Sequence, residues 1–150
     1  MEHHVYSVLV VDDDEDLIDL LQRSLTRMGH FTVHIATDGS TGLAQYYAHR
    51  PDCMIIDIHM PGLDGYQLVK ALRGDPDSAT TPLILLTALA TDRDKFDGLA
   101  SGADLYLTKP ITPQALAEAV HAAISRTDME READQESLLA SDPPEEDADE

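Results

Sequence analysis

The stretch Val8-Leu9-Val10-Val11-Asp12-Asp13 runs four apolar residues into two carboxylates. The same form returns three times along the chain. Met54-Ile55-Ile56 runs into Asp57, Leu83-Ile84-Leu85-Leu86 into Thr87, and Leu105-Tyr106-Leu107-Thr108 into Lys109-Pro110. Short apolar runs between helical segments mark strands buried on both faces of a parallel sheet. In an open parallel sheet, groups just past the carboxyl ends of the strands meet in one crevice. The sequence therefore predicts three carboxylates, a hydroxyl and an ammonium gathered at one edge, a constellation suited to binding a phosphoryl group.

Working outward, Tyr6 to Val11 is the first strand. Asp14 to Met28 carries apolar residues at Leu17, Leu20, Leu21, Leu25 and Met28, a helical stripe stopped by Gly29. Phe31 to Ile35 is a strand and Gly39 to Ala48 a helix. Cys53 to Asp57 is the third strand, followed by the turn Met60-Pro61-Gly62-Leu63-Asp64-Gly65. Tyr66 to Arg73 is helical, ended by Gly74-Asp75-Pro76-Asp77. Pro82 to Leu86, a short helix over Asp92 to Ala100, and the strand Leu105 to Thr108 follow. Pro113 stands in the first turn of a last helix reaching about Arg126, where proline is tolerated. Five alternations of strand and helix imply an α/β, doubly wound five-stranded parallel sheet of flavodoxin-like (βα)5 type. The strand order 2-1-3-4-5 sets Asp12, Asp13 and Asp57 side by side at the topological switch point.

The chain has 150 residues, enough for one compact domain. Met1-Glu2-His3-His4 is not a basic region followed by an apolar block, no apolar stretch approaches the roughly 20 residues that span a bilayer, and the single cysteine, Cys53, has no internal partner. These features point to a cytoplasmic protein with no membrane association. The formal net charge is -19, with only three lysines, Lys70, Lys95 and Lys109. Phosphate backbones require Lys and Arg, so direct nucleic-acid binding is not expected. From Asp128 to Glu150 there are 11 acidic residues against one basic. The chain thus divides into a domain over residues 1–127 and an acidic tail over 128–150, partly helical at most and disordered from Glu145.

Asp12-Asp13, Asp57-x-x-Met60-Pro61-x-x-Asp64-Gly65, Thr87-Ala88 and Lys109-Pro110, in this order and each at the end of its strand, resemble the receiver domain of bacterial two-component response regulators. The resemblance covers roughly Val5 to Arg126 and is nearest to the chemotaxis-type, single-domain members. It implies that Asp57 is the phosphoacceptor and that Mg²⁺ is the cofactor. Asp13 and Asp57 would bind the metal directly, Asp12 largely through water, and the main-chain carbonyl of His59 would add a ligand. Lys109 would place a positive charge on the phosphoryl group, before a Lys-Pro bond that is commonly cis in the family. Thr87 would bond a phosphoryl oxygen with its hydroxyl, and Ala88 would offer its backbone N–H. Thr87 and Tyr106 would form the switch, moving the surface of Asp92 to Ala100, Leu105 to Leu107 and Pro113 to Arg126. His59 and Leu89 would flank the attacking water and tune the lifetime of the phosphoryl group. The implied partners are a sensor histidine kinase or histidine phosphotransfer protein and a downstream protein target.

Such a chain is a phosphorylation-activated switch rather than a turnover enzyme. The alternative is a receiver fragment of a larger regulator whose output domain is absent. No helix-turn-helix or basic patch follows Arg126, which favours the stand-alone switch. Ala115 and Ala119 stand where paired receivers want Glu and Arg, so a monomer or weak dimer is expected. A phosphatase of the haloacid-dehalogenase kind wants Asp-x-Asp-x-Thr or Val after the first strand, and Asp16 fills the last place. A flavin phosphate would be repelled by Asp13-Asp14-Glu15-Asp16. Asp14, Glu15 and Asp16 are better suited to capping the first helix.

Overall fold

The computed structural model describes residues 4–126 and 128–145. Residues 1–3, 127 and 146–150 lie outside the described residues, and with them most of the stretch from Glu145 expected to be disordered. The elements follow as β1 (Tyr6–Val11), α1 (Glu15–Arg27), β2 (Phe31–Ala36), α2 (Gly39–His49), β3 (Cys53–Ile56), α3 (Gly65–Gly74), β4 (Leu83–Thr87), α4 (Asp92–Ala100), β5 (Leu105–Thr108), α5 (Pro113–Ser125) and α6 (Asp128–Ala140). All strand pairs are parallel, in the order β2-β1-β3-β4-β5 that the sequence predicts.

Side-chain alternation along each strand divides the core into two layers. Val8 and Val10 of β1, Cys53 and Ile55 of β3, and Ile84 and Leu86 of β4 pack with Ile18, Leu21 and Leu25 of α1 and Leu116, Val120 and Ala123 of α5. Their neighbours Leu9, Val11, Met54, Ile56, Leu83 and Leu85 face the other way, against Tyr46 of α2 and Leu68, Val69 and Leu72 of α3. Each fully buried Leu or Ile contributes about 1.5–3 kcal/mol. With both faces covered, the site must form at the sheet's edge.

Parallel strands put the start of every following helix at the same edge. Asp14 Oδ1 accepts from Leu17 N at 3.2 Å, Asp38 Oδ1 from Thr41 N at 2.7 Å, and Thr112 Oγ1 from Ala115 N at 3.1 Å. Asp64 with Gln67, and Thr91 with Asp94, form capping boxes. Element ends differ from expectation by a residue or so: β3 stops at Ile56, leaving Asp57 just past it, and β4 extends to Thr87.

A larger difference concerns α1, and a docking that was not expected concerns the partly helical tail. Leu20, placed on the apolar stripe of α1, is 56% exposed, because the face that meets the sheet is the 18-21-25 row of Ile18, Leu21 and Leu25. The segment beyond Thr127 carries α6, which packs against α4. Its thin apolar content gave no sign of docking because charged and amide groups hold it. Arg131 Nε meets Asp104 Oδ1 at 2.5 Å and Gln135 Nε2 donates to the Leu99 carbonyl at 2.5 Å.

Candidate functional site

At the carboxyl ends of β1 and β3, Asp12 and Asp57 are buried while Asp13 is exposed. Each of the three offers a carboxylate oxygen, and these oxygens lie within 4.8 Å of one another. Residues just beyond the strands hold them. Asp12 Oδ1 accepts from Asp14 N at 2.9 Å, and Asp57 Oδ1 accepts from Ile58 N at 2.7 Å. Behind Asp57, an added Cβ at Gly65 would lie 2.4 Å from the Asp57 carbonyl oxygen and 2.7 Å from Ile58 Cα. Only glycine lets the start of α3 come that close, a role that the sequence did not distinguish from an ordinary turn.

Lys109, from the loop after β5, supplies the opposing charge. Its Nζ is 2.8 Å from Asp12 Oδ2 and 3.3 Å from Asp57 Oδ2. Its backbone N–H donates to the Thr87 carbonyl at 2.8 Å, and the Lys109-Pro110 bond is cis. Burial pushes the Asp12 carboxyl up from its ordinary value, and the Asp57 charge adds to this, against the opposing Lys109 and Asp14 N–H contacts. Burial alone would lower the Lys109 ammonium, but its bonds to Asp12 and Asp57 and their charges raise it. The pocket thus holds three carboxylates against one lysine. Hard oxygen donors at this spacing fit a single cation, and the helix starts around the rim add partial positive charge. A shallow crevice lined by Asp13, His59, Met60 and Pro61 opens beside the cluster.

Thr87 is buried at the end of β4, and its Oγ1 accepts from Leu89 N at 3.4 Å. Ala88 is exposed and Leu89 half-buried. Tyr106 is buried in the layer facing α3 and α4, and its hydroxyl donates to the Leu89 carbonyl at 2.8 Å. Burial pushes its phenol up, which keeps it a neutral donor. Asp12, Asp13, Asp57 and Lys109 are thus brought into one cluster. Thr87 and Lys109 are joined through backbone, and hydrogen bonds link Tyr106 toward the cluster through Leu89 and Thr87.

A different charged cluster escaped the sequence. At the amino ends of β4 and β5, the Asp104 side chain is fully buried and meets three guanidiniums: Arg73 at 3.0 Å, Arg131 at 2.5 Å and Arg126 at 3.6 Å. It also accepts from Leu83 N at 2.9 Å. These residues belong to four elements or their ends, and nothing in their spacing announces the meeting.

Residues 8–121 match the family model of the response regulator receiver domain. The chain is 40% identical over 120 residues to the probable transcriptional regulator ycf27 of Guillardia theta, an alignment covering 80% of this chain and 46% of that protein. It is similar to the crystal structure of a putative response regulator from Chloroflexus aurantiacus, with a TM-score of 0.74 and 36% identity over 81% of this chain and 99% of that one. It is similar too to the chemotaxis protein CheY4 of Vibrio cholerae, with a TM-score of 0.74 and 32% identity over 79% and 98% of the two chains. The chain spans about half the length of the first curated relatives it matches. Among the described residues, no helix is long and apolar enough to cross a membrane.

Proposed function

The chain belongs to the response regulator receiver domain family, and from that premise we propose that it is a phosphorylation-activated switch with Asp57 as phosphoacceptor. The contact of Lys109 Nζ with both Asp12 and Asp57 carries this proposal, since it sets a fixed cation where the oxygens of a phosphorylated Asp57 would lie. In the transfer, an Asp57 carboxylate oxygen forms the new bond to phosphorus. The P–N bond of a phosphohistidine donor breaks, and its electron pair stays on the imidazole. Lys109 holds the incoming oxygens by charge, Thr87 by its hydroxyl and Ala88 by its backbone N–H.

Asp12, Asp13 and Asp57, with the His59 carbonyl, are the residues that would hold Mg²⁺. When bound, the ion offsets charge on the cluster and on the phosphoryl oxygens. Thr87 and Tyr106 form the two-state element that shifts the α4-β5-α5 surface and so controls partner binding. His59 and Leu89 border the path of the hydrolytic water and set the phosphoryl lifetime. The donor is a sensor histidine kinase or a histidine phosphotransfer protein, and the reader is a downstream protein. We place the switch in the cytoplasm as a monomer or weak dimer without direct nucleic-acid contact, its receiver unit spanning residues 1–127 and its acidic tail 128–150.

Intact-mass analysis after incubation with Mg²⁺ and acetyl phosphate tests this. One added phosphoryl group is expected, absent without Mg²⁺ and absent in Asp57→Ala. An adduct that persists in Asp57→Ala would move the acceptor elsewhere, and no adduct at all would leave a docking domain on a receiver fold. A second reading, favoured by the half-length match to transcriptional regulators, is a receiver that works through an output domain of a longer regulator. A phosphorylation-dependent effect of this chain alone on a purified partner would count against it.

A further inference from the structure

Gln135, one of the residues that hold α6, meets α4 in its last turn, and the Tyr106 ring packs against that same turn. α6 has little apolar face, for its Met129 and Leu139 are 81% and 65% exposed while Leu138 is half-buried beside Leu99 and Ala103. Arg131 is buried against Asp104, Arg126 donates to Asp134 at 2.7 Å, and Gln135 Nε2 donates to the Leu99 carbonyl in the last turn of α4. A helix of 13 residues is marginal on its own in water, so the helicity of α6 depends on this docking. On the sheet side of the same turn, the Tyr106 ring lies directly beneath Gly98. An added Cβ there would stand 2.5 and 2.6 Å from two ring carbons. Consecutive residues 98 and 99 are therefore gripped by Tyr106 from within and by α6 from without. The Tyr106 hydroxyl is bonded to the Leu89 carbonyl, and Leu89 N to Thr87 Oγ1. Contacts thus run without a gap from the end of β4, beside the carboxylate cluster, to the C-terminal helix.

We propose that α6 is a built-in occupant of the α4 face whose docking is coupled to the inward position of Tyr106, so that a change at the Asp57 site alters the order of residues 129–140. The inward ring and the docked helix share one position of α4, so each stabilises the other. By linkage, the coupling acts equally in both directions. The arm of the test that uses the Asp57 site rests on the receiver reading, whereas the arm that uses Gly98 does not.

Hydrogen exchange of the full chain, with and without Mg²⁺ and beryllofluoride, reads both arms. With the mimic bound, amides of residues 129–140 are expected to slow by about fivefold or more, the low end of typical couplings. In Gly98→Ala, where Tyr106 is driven from beneath α4, the same amides are expected to exchange faster by a similar factor with no mimic present. Tyr106→Phe, which removes the bond to Leu89 and keeps the ring, should shift them in the same direction by less, and it serves if Gly98→Ala does not fold. Slowing at Ile58 and Leu89 with residues 129–140 unchanged, and no response to either substitution, would overturn the coupling and leave the receiver reading standing. No slowing at Ile58 and Leu89, with α6 released by Gly98→Ala, would uphold the coupling and remove the receiver reading instead.

Discussion

The two ends of the sheet carry charge in opposite proportions. At the carboxyl ends of the strands, Asp12, Asp13 and Asp57 face one ammonium, that of Lys109, and Asp13 is exposed. At the amino ends of β4 and β5, one fully buried carboxylate, that of Asp104, meets Arg73, Arg126 and Arg131. Arg73 spreads its remaining N–H groups over the carbonyls of Gly102, Ala79 and Thr81 at 2.8, 3.1 and 2.6 Å. The closed end spends its polar groups on one another and ties α3, α5 and α6 to the sheet. The open end is left with more acid than its own lysine balances. Excess buried charge holds a fold together where the chain's own carbonyls and side chains take up its hydrogen bonds, as they do for Arg73 and Arg126, and it makes a binding site where they do not.

Removing the central carboxylate should have the largest effect. Asp104→Ala leaves three guanidiniums without their shared acceptor and is expected to cost about 3–5 kcal/mol in urea unfolding. A loss below about 1 kcal/mol, the worth of an exposed ion pair, would erase the distinction between the two ends. At the open end the sign reverses. Asp13→Asn should weaken Mg²⁺ binding at least about tenfold, or 1.4 kcal/mol, in calorimetric titration. Without metal, its thermal midpoint should match or exceed that of the parent, and a clear drop would mean that Asp13 is structural.

The smallest effect is a pH slope. Asp12 has its carboxyl raised by burial, so the folded chain binds its proton more tightly than the unfolded chain. Stability contributed by that protonation is present at low pH and declines as pH rises from the ordinary carboxylate value to the raised one. Asp12→Asn should flatten this part of the metal-free stability curve, and identical curves for the two proteins would show that burial imposes no such penalty.

Much of this contrast was legible from one end only. The open end is written in short apolar runs that stop at Asp12, Asp57, Thr87 and Lys109, because strand period and strand direction fix where such residues must meet. β1, α4 and β5 fall at the residues expected of them. The closed end was illegible because its members are single charged residues scattered from Arg73 to Arg131, with no period to connect them. The docking of α6 was missed for the same reason: periodicity detects apolar faces, and this helix is held largely by an arginine and a glutamine. Leu20 failed in the other direction, since an apolar residue beside a buried stripe need not belong to it.

The pairing of Lys109 with Asp12 spans 97 positions of sequence. Asp12, Asp13 and Asp57 all precede Lys109 in the chain, the nearest of them by 52 positions. Lysine reaches the carboxylates only when β5 closes the edge of the sheet beside β4, a contact of high sequence separation whose loop entropy is met late. In the proposed switch, competence to hold a phosphoryl group therefore depends on the edge strand that brings Lys109 to the site, and not only on the aspartate that would carry it.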